Sequence, residues 1–494
     1  MSQDRTDKAH PTQIPRFRRL SAMDSAFLAI EDPSNLTHVG ATAVFQGGSL
    51  LSSAGRVDQG RYLALMDRAL DQLPSWRFKP ARVPVVGHRV LVPDAEFGLE
   101  RHVRFVHLQG AGLEAVNALA AEFYSRMLQR DRPLWEQLVI DGLQDGHFAI
   151  VSKVHHAMVD GVAGVGALAM MLSAEPSTNS CAEISTIPAR APTGAELLRQ
   201  EVAFRLAQPK RAWRLIREAS GSPRQLLAGV GSAVRSTLEA ARGSLAPSPK
   251  CVLTQAPVGP HRGYQGLAFD LERVRRVRRA AGCKLNDVVL ATVAGGLDKY
   301  FRAKAGQGFE PPEHLRVMVP VSLHAPGADD TMGNQVSLMI MPLPLEATGP
   351  RERLERLVET TRATKASGSS GAFAIGQALA EWTFAPLIPI AVQAAISLTP
   401  YHLIVTNVPG PNFPLYLLDS KLTDLFPMVP LYGNQSLAIA LVSYDGGLYF
   451  GLCSDADRVR DLSRIADYLD EAFEELCAEY LGGEESAGLA QRGA

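Results

Sequence analysis

The sequence predicts an α/β (α+β) protein of two domains, and three observations carry that reading. The chain has 494 residues, 46% of them hydrophobic and 20% charged, which is enough for two substantial cores. Segments alternating with period two are interleaved with segments of helical period in both halves. Between about Ser173 and Lys250 the texture changes to a polar, proline-containing stretch and then a basic helical one. The formal net charge of −1 argues against a nucleic-acid binder. Five scattered cysteines, an odd number, suit a reducing compartment with free thiols. The first twenty residues are polar and lack an apolar signal core.

The first half starts with LSAMDSAFLAIED, a helix or turn with Ser21 and Asp24 as caps, and then the strand THVGATAVFQG. RYLALMDRALDQL has helical spacing. HRVLVPDAEFGLERHVRFVHL reads as two strands joined by a turn, and GLEAVNALAAEFYSRMLQR as a long amphipathic helix. Pro133 stops that helix, and Leu134 and Trp135 start the strand WEQLVIDGL; packing at a corner accounts for the tryptophan on physical grounds alone. A turn at Asp145-Gly146 leads into HFAIVSKVHH. There Phe148, Ile150, Ser152, Val154 and His156 share one face, and Ala149, Val151, Lys153 and His155 the other. GVAGVGALAMMLS follows as a small-residue helix with Asp160 near its N-cap.

Two adjacent histidines at the junction of an apolar strand and a helix are the candidate chemistry. Successive side chains on an extended backbone point opposite ways, so only one of His155 and His156 faces a given cavity. A neutral imidazole accepts a hydroxyl proton near pH 7 if its tautomer is fixed. Asp160 is placed to orient the local backbone or hold a cation, and Gly161 allows close approach. A single histidine after a strand is more often structural; the pair followed by Asp-Gly shifts that balance. No H-x-x-x-H or C-x-x-C pattern supports a zinc site. The glycines from Gly164 fall inside the helix rather than in the turn before it, which disfavours a dinucleotide fingerprint.

In the second half a strand, a basic helix and a helix opening at Asn286-Asp287 follow in order. Both residues suit a helix N-terminus, where their oxygens accept free backbone N–H groups. LRVMVPVSLHAPG and MGNQVSLMIMPLP are strands around a loop, and RERLERLVETTRATKA is a charged helix. From Trp382 to Leu418 there are 37 residues without Asp, Glu, Lys or Arg, interrupted by prolines. This reads as a buried or interfacial helix near IAVQAAISL and then the strand YHLIVTNVPG; tunnel lining and ordinary core are equally consistent with it. Thr406 and Asn407 are hydrogen-bond donors at a strand end, as a developing oxyanion requires. A hairpin through Asp445-Gly446, a closing helix and a disordered last dozen residues complete the chain.

HHAMVDG, His155 to Gly161, matches the H-H-x-x-x-D-G motif of acyltransferases that share the chloramphenicol acetyltransferase fold. LSAMDSAFLAIED, Pro133-Leu134-Trp135, Asn286-Asp287 and the N-V-P-G-P run from Asn407 stand in the order of the bacterial wax ester synthase/diacylglycerol acyltransferase family, which the chain resembles over about residues 20 to 480. The resemblance implies two chloramphenicol acetyltransferase-like domains, each a mixed β-sheet with helices, and an active-site channel between them. It implies acyl transfer from acyl-CoA, a substrate and not a cofactor, to diacylglycerol or a long-chain alcohol. His156 maps to the base and His155 to a supporting role. Asp160 and Gly161 are then structural, Pro133, Leu134, Trp135, Asn286 and Asp287 shape the site, and Thr406 and Asn407 are the oxyanion candidates. Neither a metal nor a redox cofactor is called for. The absence of a G-x-S-x-G elbow disfavours a serine acyl-enzyme. His324 stands where family members often carry arginine.

The expected organisation is a flexible tail over 1–19, an N-terminal acyltransferase domain over 20–185, a basic helical linker over 186–250, a C-terminal acyltransferase domain over 251–482, and a disordered tail over 483–494. Residues 190–250 carry eleven Lys/Arg against four Asp/Glu, a surplus of seven. A solvated face accounts for this, and so does attraction to an anionic lipid surface. The expected location is the cytoplasm, peripheral to the inner membrane face or lipid inclusions; no oligomeric state is implied. Two alternatives stand beside this reading: transfer to a polyketide-derived alcohol or a carrier-bound substrate, and a non-catalytic lipid-binding protein.

Overall fold

The computed structural model describes residues 16–158, 166–177, 190–219, 251–254, 256–306, 312, 315–322, 336–347, 349–366 and 401–482. The first half contributes β1 (Arg18–Arg19), α1 (Ala22–Ile30), β2 (His38–Gln46), α2 (Gln59–Gln72), β3 (Phe78–Arg82), β4 (Arg89–Pro93), β5 (Val103–Ala111), α3 (Leu113–Tyr124), β6 (Trp135–Leu143), β7 (His147–His155) and α4 (Gly166–Met171). The helix α5 (Gly194–Ala219) leads on to β8 (Arg262–Asp270), α6 (Leu271–Ala281), α7 (Leu285–Ala303), β9 (Leu315–Ser322), β10 (Val336–Leu343) and α8 (Pro350–Ala366). The chain ends with β11 (Leu403–Pro409), β12 (Tyr416–Leu417), β13 (Ser420–Met428), β14 (Leu437–Tyr444), β15 (Gly447–Asp455) and α9 (Leu462–Leu481).

Two six-stranded mixed sheets organise these elements. The first has the order β12-β13-β2-β7-β6-β5, and the second β10-β9-β11-β14-β15-β8. β5 pairs parallel with β6, and β11 parallel with both β9 and β14; the other neighbours are antiparallel. β7 is central and nearly all of it is buried, so its two faces read as one apolar run. Phe45 and Phe148 stack across β2 and β7 with ring centroids 5.2 Å apart. Lys153 is the exception in that strand. Its Nζ donates to the carbonyls of Phe123 (2.9 Å) and Arg126 (2.7 Å) at the end of α3 and faces Glu136 at 3.4 Å. Burial pulls its pKa down to about 8.

Local chemistry explains several element ends. Ser21 and Asp24 form a reciprocal cap at the start of α1: the Asp24 N–H donates to Ser21 Oγ, and the Ser21 N–H to Asp24 Oδ2. Asp145 and Gly146 turn β6 into β7, and Asp445 and Gly446 turn β14 into β15, all four with positive φ. Asp270 caps α6, and Gly282 ends it in the left-handed region.

The chain crosses between sheets more than the sequence reading had it. β12 and β13 leave the expected 251–482 unit and complete the first sheet, with Phe426 opposite Thr42 of β2. Arg18 and Arg19 belong to a third, three-stranded sheet, β1-β4-β3, so the tail expected over 1–19 is ordered at its end. The two strands expected on either side of a turn after His88 are β4 and β5, and they enter different sheets. The long helix expected up to Arg130 stops at Tyr124. α5 packs Leu197 and Leu198 on the small sheet, beside Val83 and Val90.

A glycine pair makes the crossing of β13 feasible. Gly266 of β8 and Gly451 of β15 are opposite one another in the second sheet. A Cβ on Gly451 would overlap the carbonyl of Pro427, and one on Gly266 would lie 2.8 Å from the Phe426 ring. β13 therefore lies directly on that pair. Tyr264 and Tyr449 donate their hydroxyls to the carbonyls of Phe426 (2.7 Å) and Thr423 (2.8 Å). We expect Gly451→Ala to push β13 off the second sheet and to lower stability by roughly 1–3 kcal/mol, the usual range for overpacking. Chemical denaturation of the two proteins measures this; equal midpoints would show that the contact is not tight.

Candidate active site

The site is built where β7 ends. The N–H of His155 donates to the carbonyl of Leu134 (2.9 Å) at the start of β6, and the N–H of His156 to the carbonyl of Thr37 (2.9 Å) just before β2. The alternation of a strand thus continues through the pair, although β7 ends at His155 and His156–Met158 form a 3-10 turn. The two rings consequently have different surroundings.

His155 is fully buried. Its Nδ1 accepts the N–H of Ala157 (3.0 Å), which places the ring proton on Nε2. Nε2 lies 2.8 Å from Thr37 Oγ1 and 3.5 Å from Glu31 Oε2. Glu31 also accepts the Thr37 N–H (3.3 Å) and pairs with Arg130 Nη2 at 3.1 Å. Burial works to raise the Glu31 pKa; the hydrogen bond from His155 and that from the Arg130 guanidinium outweigh it and hold it at about 2. Glu31 ends α1, so this cluster ties α1, β2 and β7 together. His38, opposite His155 in β2, is also buried; its Nε2 donates to the Tyr124 carbonyl (2.8 Å), and burial takes its pKa to about 3.

His156 keeps accessible surface although it lies deep in the protein. Its ring stacks on Phe27 of α1, with centroids 4.0 Å apart. Nδ1 is buried and has no side-chain partner among the described residues, which leaves Nε2 as the nitrogen on the accessible side. Burial, then the neighbouring His155, lower its pKa to about 4, so the ring is neutral at pH 7. Phe27 also lies 6.1 Å from Tyr432, which precedes β14. Phe27, His156 and Tyr432 all retain accessible surface. The combination is a neutral base with one free nitrogen, in an aromatic surround, on a rigid frame.

The other expected site residues divide into two groups. Leu134 and Trp135 are buried behind the histidines. Trp135 Nε1 donates to the Trp76 carbonyl (2.8 Å), and the His102 ring stacks on the indole at 4.5 Å. Pro133 accepts the Trp135 N–H (3.0 Å) and so shapes the turn that presents the Leu134 carbonyl. Asn286, Asp287, Thr406 and Asn407 form the second group. Lys284 rather than Asn286 is the N-cap of α7, and its N–H donates to Asp287 Oδ2 (2.9 Å). Asn407 Nδ2 donates to Asn286 Oδ1 (2.7 Å) across 121 residues, and Thr406 is half-buried beside it in β11. Among the described residues no hydrogen bond joins this second group to His156.

Asp160, Gly161 and His324 lie outside the described residues, as does residues 382–400 of the uncharged stretch. Phe27, Glu31, Thr37, Arg130 and Tyr432 were not singled out from sequence. Only the capped helix leading to Glu31 signalled any of them. Among the described residues no group of three or more His, Cys, Asp or Glu is arranged to hold a metal ion.

Comparison with known proteins follows this geometry. Residues 20–289 match the wax ester synthase/diacylglycerol acyltransferase catalytic domain, and residues 332–477 the C-terminal domain of the same family. A Mycobacterium tuberculosis H37Rv protein, tgs1, named as a diacylglycerol O-acyltransferase, is 31% identical over 471 residues, 94% of this chain and 96% of its own. Another, from M. tuberculosis CDC 1551 and similarly named, is 31% identical over 472 residues, 93% of this chain and 90% of its own. Among solved structures, the wax ester synthase/diacylglycerol acyltransferase of Marinobacter aquaeolei VT8 superposes with a TM-score of 0.65 at 24% identity, covering 94% of this chain and 99% of that one. The first condensation domain of the CDA synthetase superposes with a TM-score of 0.52 at 16% identity over 95% and 98%. The shared fold is thus a two-domain one of mixed sheets.

The lowered pKa of His156 has a sign that can be checked. Below about pH 6.5 the unfolded chain binds a proton at this position that the folded chain refuses. The contribution of the neutral ring to stability is therefore present above pH 6.5, is lost as the pH falls towards 4, and levels off below. NMR of labelled histidine should place the His156 midpoint near 4, and Phe27→Ala should move it upwards by admitting water. A midpoint of 6.5 in the intact protein would contradict the burial of this ring.

Proposed function

The chain belongs to the wax ester synthase/diacylglycerol acyltransferase family, and on that premise we propose that it moves a long-chain acyl group from acyl-CoA to diacylglycerol or a long-chain alcohol, with His156 as general base. The observation that carries this is the accessible, neutral His156 ring on a frame fixed by His155. Nε2 of His156 takes the proton of the acceptor hydroxyl as its oxygen attacks the thioester carbonyl. The tetrahedral intermediate collapses, the C–S bond breaks, and the proton passes from His156 to the leaving sulfur. No covalent acyl-enzyme is formed. His155 orients the turn, and the structural role of Asp160 and Gly161 rests on the H-H-x-x-x-D-G motif alone. Pro133, Leu134 and Trp135 shape the site through the Leu134 carbonyl, while the Asn286–Asn407 bond holds α7 against the end of β11 and Asp287 caps α7.

Purified protein should release CoA from palmitoyl-CoA only when a long-chain alcohol or diacylglycerol is present. His156→Ala should lose about 10²- to 10⁴-fold in turnover with little change in melting temperature. His155→Ala should chiefly lose stability, because Thr37 and the Ala157 N–H are left unpaired. Equal CoA release with water alone would make the protein a thioesterase, and an active His156→Ala protein would remove the base. Absence of turnover with free acyl-CoA and simple acceptors would favour a carrier-bound or polyketide-derived substrate, or lipid binding alone.

The protein also works at a lipid surface, the inner membrane face or a lipid inclusion, through α5. Among the described residues no helix is long and apolar enough to cross a membrane. α5 is held to the small sheet by Glu201, which pairs with Arg19 of β1 (2.9 Å) and is braced within the helix by Arg205 (2.8 Å). Its outer side exposes Val202 and, to 72%, Leu206, four residues apart and so on one face of the helix. Sedimentation with anionic liposomes should fall as salt rises, since exposed charges are screened over about 10 Å at 0.1 M. Leu206→Glu should reduce it further; binding unaffected by both changes would exclude α5 as the contact.

A further inference from the structure

We propose that Tyr432 is a further catalytic residue, whose hydroxyl donates a hydrogen bond to the thioester oxygen as negative charge develops on it. The inference rests on the acyl-transfer reading above. It starts from the position of Tyr432 on the segment that returns from β13 in the first sheet to β14 in the second. That segment is rigid. The N–H of Val258 donates to the Gly433 carbonyl (2.8 Å), the N–H of Gln435 to the Tyr432 carbonyl (3.1 Å), the N–H of Ser436 to the Leu253 carbonyl (2.9 Å), and Asn434 Nδ2 to the Thr254 carbonyl (3.0 Å).

The ring of Tyr432 faces the same Phe27 that stacks on His156, at centroid separations of 6.1 and 4.0 Å. The base thus comes from the first sheet, and the hydroxyl from the connection to the second, and all three residues are half-buried. The Tyr432 hydroxyl makes no hydrogen bond among the described residues. Burial, then the proximity of Tyr401 and Glu31, raise its pKa, so it stays protonated and remains a donor at any working pH. An oxyanion is stabilised by a donor fixed in place before the charge forms.

The donors expected from sequence are placed differently. Tyr401, which lies near Tyr432, precedes the start of β11, and Asn407 is six residues further on, about 20 Å along an extended strand. The Asn407 amide is engaged by Asn286. Gln435 also lies near Tyr401, but it is fully buried and packs away from any accessible surface. Tyr432 is the described hydroxyl that combines closeness to Phe27 with accessible surface and no competing partner.

The test is Tyr432→Phe in the full-length protein, assayed for CoA release from palmitoyl-CoA with 1-hexadecanol and, separately, dioleoylglycerol. The ring and its contact with Phe27 are retained and only the hydroxyl is lost. The expected result is a fall in kcat of about 10²-fold, the usual effect of losing one oxyanion donor. The fall should be the same for both acceptors, because the thioester is common to them. KM for palmitoyl-CoA and the melting temperature should barely change. An unchanged kcat overturns the proposal. So does a loss confined to one acceptor, which would make Tyr432 a reader of the acceptor, or a loss seen only in KM. Wild-type protein that releases no CoA with either acceptor overturns the proposed transfer from acyl-CoA to diacylglycerol or a long-chain alcohol, and the role of Tyr432 with it.

Discussion

The buried ring of His155 is the interaction on which the rest of the site depends. One nitrogen accepts a backbone N–H two residues on, and the other meets Thr37 with Glu31 behind it. Each bond fixes a different element: the turn after β7, the approach to β2, and the end of α1. Removing any one leaves a polar group unpaired in a place water does not reach, which is costly enough to keep the arrangement single. His156 inherits its position from this clamp. Its backbone is held by Thr37, its ring lies on Phe27 from the same α1, and its buried Nδ1 has no side-chain partner among the described residues. A base must have a fixed position and an unoccupied lone pair. The two adjacent histidines divide those requirements between them.

The low pKa of His156 has a chemical meaning beyond its charge at pH 7. A ring near 4 is a weaker base than a free imidazole, so in the proposed role it would take the hydroxyl proton with less driving force. In return it is never lost to protonation in ordinary conditions. It also becomes a strong acid once protonated, which suits the return of the proton to a thiolate. The same exclusion of water that lowers the pKa also limits hydrolysis of the thioester.

Much of this was legible from the sequence because it is locally encoded. β7 showed its alternation, Asp145-Gly146 and Asp445-Gly446 showed their turns, and the histidine motif, Pro133-Leu134-Trp135 and Asn286-Asp287 stood out as text. The structure even joins Asn286 with Asn407, singled out separately. What was not legible depends on contacts between distant parts of the chain. β13 carries Pro427, two charged residues and a register shift near Thr423, so it lacks the pattern of a strand that completes a sheet. Gly266 and Gly451 look unremarkable until β13 lies across them. Glu31 reads as an exposed acid at a helix end, and Tyr432 as one aromatic in a loop; only the fold shows what each one faces.

The return of β13 to the first sheet also dictates an order of events during synthesis. Ser49, just past the edge of β2, is bonded to Asp419, 370 residues later. At about 5–20 residues per second, a ribosome needs roughly 20–70 s to cover that span. Once β7 (His147–His155) has emerged, β2 has β7 on one side and nothing on the other until β13 follows. An uncovered strand edge is a template for pairing with other chains. The nascent protein therefore carries an adhesive flank for most of its translation, and a chaperone that shields it until β13 emerges would determine how much of the chain reaches the folded state.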